Sequence, residues 1–222
     1  MGVMQQNLEK ILSENGFTLT QKTIPFPRRE DFVNHPIETE INRVYHQLGG
    51  QLDSFSLNLQ KWDMEVDGVA VELDEHLHFN RYRGLTLESS LYQDLTFFLL
   101  DDYKSYCKDH ESDCIRACSH VGKWSNSSCE RQFGEAGPHK ELTGPGAPRW
   151  KQRAFYDYVK DSLPLLGLGH LLRVSIWEEV HFKSENIPIH SILKKYPHGG
   201  DIDTVLVNLL GHRLTKIKEQ AL

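Results

Sequence analysis

The chain has 222 residues, 39% apolar and 25% charged, with a net charge of −6. That length and composition exclude an intrinsically disordered chain and allow one large domain or a domain carrying a sizeable insertion. No apolar run reaches bilayer length, the N-terminus lacks a basic-then-apolar secretory pattern, and Gln6 stands where a myristoylation site needs Ser or Thr, so we expect a cytoplasmic protein with no membrane partner.

Residues 5–15 place Leu8, Ile11 and Leu12 at helical spacing and stop at Gly16. Residues 17–24 alternate like a strand, ended by Pro25-Phe26-Pro27. A helix begins after Asn34 or near Pro36, carries Ile37, Ile41, Val44, Tyr45 and Leu48, and closes at Gly49-Gly50. Residues 52–59 read as the first strand of a sheet.

Residues 61–74 read as a β-hairpin. Asp67-Gly68 predicts a type I′ turn, which needs φ > 0 at both central positions. This pairs Val66 with Val69, Met64 with Val71 and Asp63 with Glu72. Alternation then puts Trp62, Met64, Val66, Val69, Val71 and Leu73 on one face and Lys61, Asp63, Glu65, Ala70, Glu72 and Asp74 on the other. Asp63 and Glu72 become cross-strand neighbours, about 5 Å apart at Cβ, where like charges repel. A divalent cation is a reason to keep them there, and Asp63, Glu72 and Asp74 are the candidate ligands for Mg²⁺ or Mn²⁺. Asp67 is a turn former. A hairpin with one solvated polar face accounts for the same pattern, with Lys61 pairing Asp74 across the strands.

The segment after the hairpin gathers His76, His78, Arg81 and Arg83. His78 is a candidate general acid or base, and Arg81 and Arg83 are candidate phosphate ligands, weighed against ordinary core or surface roles. A helix is expected over residues 97–107. Residues 108–148 then change composition, with Gly and Pro frequent and aliphatic residues sparse. Cys107, Cys114, Cys118 and Cys129 are the only cysteines in the chain. Four thiolates suit a structural Zn²⁺, with His110, His120 or His139 as substitutes, although no Cys-x-x-Cys pair is present; buried free thiols are the alternative. The linker 144–148 leads into a helix over 150–163, with Trp150, Ala154, Tyr158 and Ser162 on one stripe. Arg149, Lys151 and Arg153 make its start basic, and Lys151 and Arg153 join the candidate phosphate ligands. Trp150 and Tyr156 fit core packing better than base stacking. An apolar strand over 171–177 and a last helix over 203–218 complete an α/β pattern, a mixed sheet flanked by helices. The chain thus divides into an N-terminal helix and strand (1–35), a first core segment (36–106), a Cys-rich insertion (107–148) and a second core segment (149–222).

Val71-Glu72-Leu73-Asp74 followed by His78 resembles the strand-plus-histidine motif of the very-short-patch-repair endonuclease-like branch of the PD-(D/E)XK nuclease superfamily. The resemblance covers residues 36–83 and 149–177. In that branch an acid on one hairpin arm, matched by Asp63, pairs with a Glu-x-Asp motif on the other, matched by Glu72 and Asp74. An upstream helix carries a Glu, matched by Glu40 with Glu38 as substitute. An arginine-bearing helix and an Arg-containing apolar strand are similar to residues 152–157 and 171–176. Two departures stand out: Asp74 occupies the superfamily's usual Lys position, and Glu75 follows where Gly is frequent. The resemblance implies a restriction-endonuclease-like fold and Mg²⁺-dependent endonuclease activity on DNA, by a protein that could act as a homodimer. Asp63, Glu72 and Asp74 would hold the ion, Glu40 would complete the shell or orient water, His78 would assist proton transfer, and Arg81 and Arg153 would bind phosphate. The rival expectations are a non-catalytic nucleic-acid-binding module on the same fold and a protein-interaction module built on the cysteine segment.

Overall fold

The computed structural model describes residues 2–20, 23–195 and 200–219. In chain order the elements are α1 (Val3–Glu14), β1 (Leu19–Thr20), α2 (Arg29–Phe32), α3 (Glu38–Gln47), β2 (Met64–Val66), β3 (Val69–Asp74), α4 (Arg81–Thr86), α5 (Leu100–Asp109), α6 (Glu111–Ala117), α7 (Ser127–Phe133), α8 (Pro148–Asp161), β4 (Leu171–Ser175), β5 (Glu179–Phe182), β6 (Glu185–Pro188), α9 (Ile189–Lys194) and α10 (Asp201–Glu219). The fold is mixed α/β, as expected. The chain forms two compact units, one of residues 1–25, 61–74 and 168–222, the other of residues 26–60 and 75–167. Among the described residues no helix is long and apolar enough to cross a membrane.

The first unit holds a four-stranded sheet in the order β1-β2-β3-β4. The hairpin has the predicted register, Met64 opposite Val71, Glu65 opposite Ala70 and Val66 opposite Val69. Its turn has φ 49° at Asp67 and 81° at Gly68, as a type I′ turn requires. Thr18 and Asp67 bond reciprocally, Thr18 N–H to the carboxylate and Asp67 N–H to the Thr18 carbonyl, each at 2.9 Å. The expected strand over 17–24 is a short edge at Leu19–Thr20; Gln21 and Lys22 lie outside the described residues. β4 runs parallel to β3, with Glu72 opposite Arg173 and Asp74 opposite Ser175. A parallel pair needs a long crossover, and residues 75–170 supply it. α1 packs on α9, and α10 on β4 and β5, burying Leu8, Ile11, Ile189, Ile192, Leu206 and Leu210.

The second unit is helical. Its axis is α8, opened by Pro148 and buried along the predicted stripe of Trp150, Ala154, Tyr158 and Ser162. Tyr45 of α3, Phe55, Phe133 and Phe155 form one aromatic cluster, with Tyr45–Phe155 centroids 5.2 Å apart and Phe55–Phe155 5.3 Å apart. The strand expected over 52–59 does not form. Phe55 is its single fully buried residue, and Tyr156 O–H reaches the Ser56 carbonyl at 3.4 Å, so the alternating segment lies along α8 and has no ladder partner. The cysteine segment is not a separate minidomain. It belongs to the same unit as α8, where Trp124 and Trp150 meet edge to face at 5.1 Å and bury Cys114 and Cys118 with them. Large aromatic and sulfur side chains supply the core that the sparse aliphatic residues do not.

Candidate functional site

The acid pair expected on the hairpin is formed. Past the last ladder pair, Leu73 N–H donates to Asp63 Oδ2 at 2.9 Å, and Asp63 N–H donates to Glu72 Oε1 at 3.3 Å. The two carboxylates thus extend the strand pairing where backbone carbonyls would otherwise accept, which fixes both side chains. Asp63 is held further by buried Gln5, whose amide donates to the Asp63 carbonyl at 2.5 Å, and the preceding Trp62 ring N–H donates to Ile24 O at 3.1 Å.

Both faces of the hairpin are buried, contrary to the solvated-face alternative. β3 is an interior strand between β2 and β4, and Glu72 and Asp74 are 3% and 1% exposed. Glu65 on the same face is occupied structurally, accepting from the Thr23 backbone at 2.9 Å and from its hydroxyl. The cation bonded to Asp74 is Arg173 of β4, at 2.7 Å, with both side chains almost wholly buried. The three-carboxylate ligand set therefore needs correction. Asp74 is drawn to Arg173, and the oxygens of Asp63, Glu72 and Asp74 do not all come within 4.8 Å of one another. Asp63, just before β2, remains beside Glu72 of β3. Two hard carboxylate donors fit Mg²⁺ or Mn²⁺, ions that keep waters and phosphate oxygens in their remaining positions.

In the second unit, the turn His76–His78 presents His78 to α8. His78 Nδ1 lies 2.8 Å from Asp157 Oδ2, and Nε2 lies 3.2 Å from Arg153 Nη1. A guanidinium only donates, so Nε2 is the acceptor and Nδ1 carries the proton given to Asp157. Arg153 and Asp157 are four residues apart on α8 and so share a face. Asp157, which sequence reasoning did not assign, is 3% exposed. The available signal was that spacing, a carboxylate one turn beyond an arginine on a predicted helix.

The remaining predicted residues divide sharply. Glu40, in the first turn of α3, is clamped by Arg43 at 2.6 and 2.7 Å and accepts from Ser89 Oγ at 2.5 Å and Ser90 N–H at 3.2 Å. The Arg43 hydrogen bonds lead the pull on its carboxyl down to about 2, against the opposing effect of burial. This is a structural clamp, in which Arg43, Ser89 and Ser90 occupy the carboxylate expected at the metal shell. Arg83 is also corrected. It is 1% exposed and donates to Asp161 at 2.7 Å, Tyr92 O–H at 2.8 Å and Thr86 Oγ1 at 3.2 Å, so it is architecture rather than a phosphate ligand. Arg81 is exposed and forked onto Glu111 at 2.7 and 2.9 Å. Lys151 is half-buried with its ammonium 5.7 Å from the Tyr82 ring centre, and burial lowers its pKa. It has no carboxylate partner among the described residues.

The four cysteines do not assemble the expected zinc site. Among the described residues no cysteine belongs to any group of three or more ligand atoms within 4.8 Å. All four cysteines are buried and none forms a disulfide. Cys114 accepts from the Asn80 amide at 3.7 Å, and burial pushes its thiol up to about 12. Cys118 meets His139 at 3.6 Å, and Cys129 sits in the cap of α7, receiving Asn126 N–H at 3.1 Å. Successive helices aim the sulfurs at different neighbours.

These observations define a mixed α/β protein with paired acids beside a sheet turn and a carboxylate-held histidine. The chain belongs to a family of unknown function, DUF7255, whose model matches residues 43–195. That span includes Asp63, Glu72, Asp74, His78, Arg153, Asp157 and Arg173 and leaves out Glu40. No curated protein and no solved structure matches the chain.

Proposed function

We propose that this protein is a metal-dependent phosphodiesterase that cuts DNA. The observation that carries the reading is the adjacency of Asp63 and Glu72, two acids fixed side by side by hydrogen bonds across the hairpin. Like charges directly opposite each other destabilise a hairpin, a cost that a shared divalent cation would offset. The motif resemblance to PD-(D/E)XK nucleases points the same way. Asp63 and Glu72 would hold Mg²⁺ or Mn²⁺, which supplies Lewis-acid stabilisation of a phosphoryl oxygen and lowers the pKa of a bound water.

In the second unit, His78 is the candidate proton acceptor. Asp157 holds the His78 imidazole in the Nδ1–H tautomer, the arrangement of an oriented general base. Arg153 now donates into Nε2; an arriving phosphate competes for the guanidinium and, by taking it, opens the Nε2 lone pair to a proton. Lys151 adds an ammonium near the start of the same helix.

The test is cleavage of supercoiled plasmid and of branched DNA with Mg²⁺ or Mn²⁺ by wild type and by the Asp63→Ala/Glu72→Ala variant. Cutting that is lost in the variant and with chelator is expected. Equal residual cutting by both proteins would remove the reading. A second reading, a non-catalytic nucleic-acid-binding module, is favoured by one observation: both ring nitrogens of His78 already have partners. Calorimetry separates the two, since Mn²⁺ binding that is unchanged by Asp63→Ala, together with DNA binding, selects the module.

A further inference from the structure

Within the second unit, α4 and α5 face each other across a cavity of about 540 Å³ lined by Arg81, Gly84, Leu85, Glu88, Lys104, Cys107, Lys108 and Glu111. Arg81, Gly84 and Leu85 share one face of α4 and Lys104, Cys107 and Lys108 one face of α5, with Glu88 just beyond α4 and Glu111 at the start of α6. The floor is narrow and apolar. A Cβ placed on Gly84 would stand 3.6 Å from Cys107 Cβ, so any larger side chain there would enter the cavity.

The rim is charged, with three cations and two carboxylates. Glu111 is fixed, because it accepts both the Arg81 backbone N–H at 2.8 Å and the Arg81 guanidinium. Burial pushes the Glu111 carboxyl up, yet the Arg81 hydrogen bonds and charge outweigh it and hold the group below its ordinary range. The cation suited to a planar carboxylate thus already holds one. Lys104 and Lys108 lie one turn apart on the same face of α5, where two ammonium groups repel. Lys104 pairs with Glu88 at 3.0 Å, and that carboxylate is 64% exposed and weakly held. Lys108 has no carboxylate partner among the described residues.

We infer that this cavity binds a phosphate monoester of mononucleotide size. A dianionic phosphate gathers its charge on three oxygens of one group that both ammonium groups can share, whereas a dicarboxylate divides the same charge between two separated groups. The organic body of the ligand would lie on Gly84, Leu85 and Cys107, in a cavity of ordinary ligand-site volume. The inference does not depend on the phosphodiesterase reading.

Titration calorimetry of the full chain tests it, with AMP, inorganic phosphate and succinate as probes at matched ionic strength. AMP is expected to bind saturably at one site, inorganic phosphate more weakly, and succinate not at all. The Lys104→Gln/Lys108→Gln variant should bind AMP at least tenfold more weakly, with the melting temperature lowered only by loss of the weak Lys104–Glu88 pair. Gly84→Leu should abolish binding by filling the floor. Asp63→Ala/Glu72→Ala should keep AMP affinity, so that failure here and failure of the proposed activity are told apart. Absence of saturable heat with AMP, equal heat with succinate, or undiminished AMP affinity in the lysine variant overturns the inference.

Discussion

Arg83–Asp161 and Arg173–Asp74 are both buried ion pairs at 2.7 Å, but their neighbourhoods differ. Around Arg83 the donors and acceptors alternate. Tyr92 O–H accepts from the guanidinium and donates to Asp161, and the Tyr92 and Phe98 rings lie 5.8 and 5.7 Å from the guanidinium carbon. Around Arg173 like charges stand together: Glu72 lies in register with it, two residues before Asp74 on the same face, and Asp63 is next to Glu72 across the hairpin. A pair set among complementary groups stabilises its surroundings. A pair set among more acids is a place where a bound cation would relieve repulsion, as the proposed activity requires.

The sharpest way to break this comparison is Arg83→Ala. It leaves the Asp161 carboxylate buried without its guanidinium and should cost about 3–5 kcal/mol in urea denaturation. A loss below about 1 kcal/mol would show that the Arg83 network is not the structural pair described. His78→Ala tests the other side. We expect cleavage to fall by roughly 10²–10⁴-fold with the melting temperature nearly unchanged, as for removal of a general base; parallel losses of activity and stability would make His78 a packing residue.

A smaller effect is expected at Glu40, whose clamp combines features of both pairs at a less buried position. Its carboxyl is held at about 2 in the folded chain against 4.5 ordinarily. Its contribution is therefore complete above about 4.5 and is lost as pH falls toward about 2. Glu40→Gln should lower stability at neutral pH by about 1–2 kcal/mol, with the gap from wild type closing on acidification. Melting curves of both proteins from pH 2 to 7 check this, and a constant gap would contradict it. The smallest change is expected for Glu72→Gln, which relieves like-charge repulsion beside Asp63. Stability should stay within about 1 kcal/mol of wild type or rise, while cleavage falls by more than the roughly 10–100-fold typical of changes around a metal's ligands. Destabilisation on the scale of Arg83→Ala would place the acid face with the architecture and end the contrast.

Local rules carried some elements well. The hairpin register follows from Asp67-Gly68 and strict alternation, both readable over a dozen residues. The α8 stripe follows from helical spacing. The same rules misread residues 52–59, where alternation reflects half-burial along a helix. They also grouped Arg81 with Arg83. Two residues on a helix differ by about 200° in direction, so one arginine reaches a surface glutamate and the other enters the core. The cysteines were grouped by proximity in sequence, yet three separate helices and a cap turn their sulfurs to different neighbours.

The amino-acid order alone determined the α/β character, the turn at Asp67-Gly68 and the cross-strand placement of Asp63 beside Glu72, because dihedral preference and side-chain period act over a few residues. Only tertiary structure decided which charge each acid meets: Arg173 for Asp74, 99 residues away, and Asp157 for His78, 79 residues away. Long-range partners depend on how strands and helices are brought together, and burial then makes those distant pairings strong enough to redirect a side chain from the role its local sequence suggests.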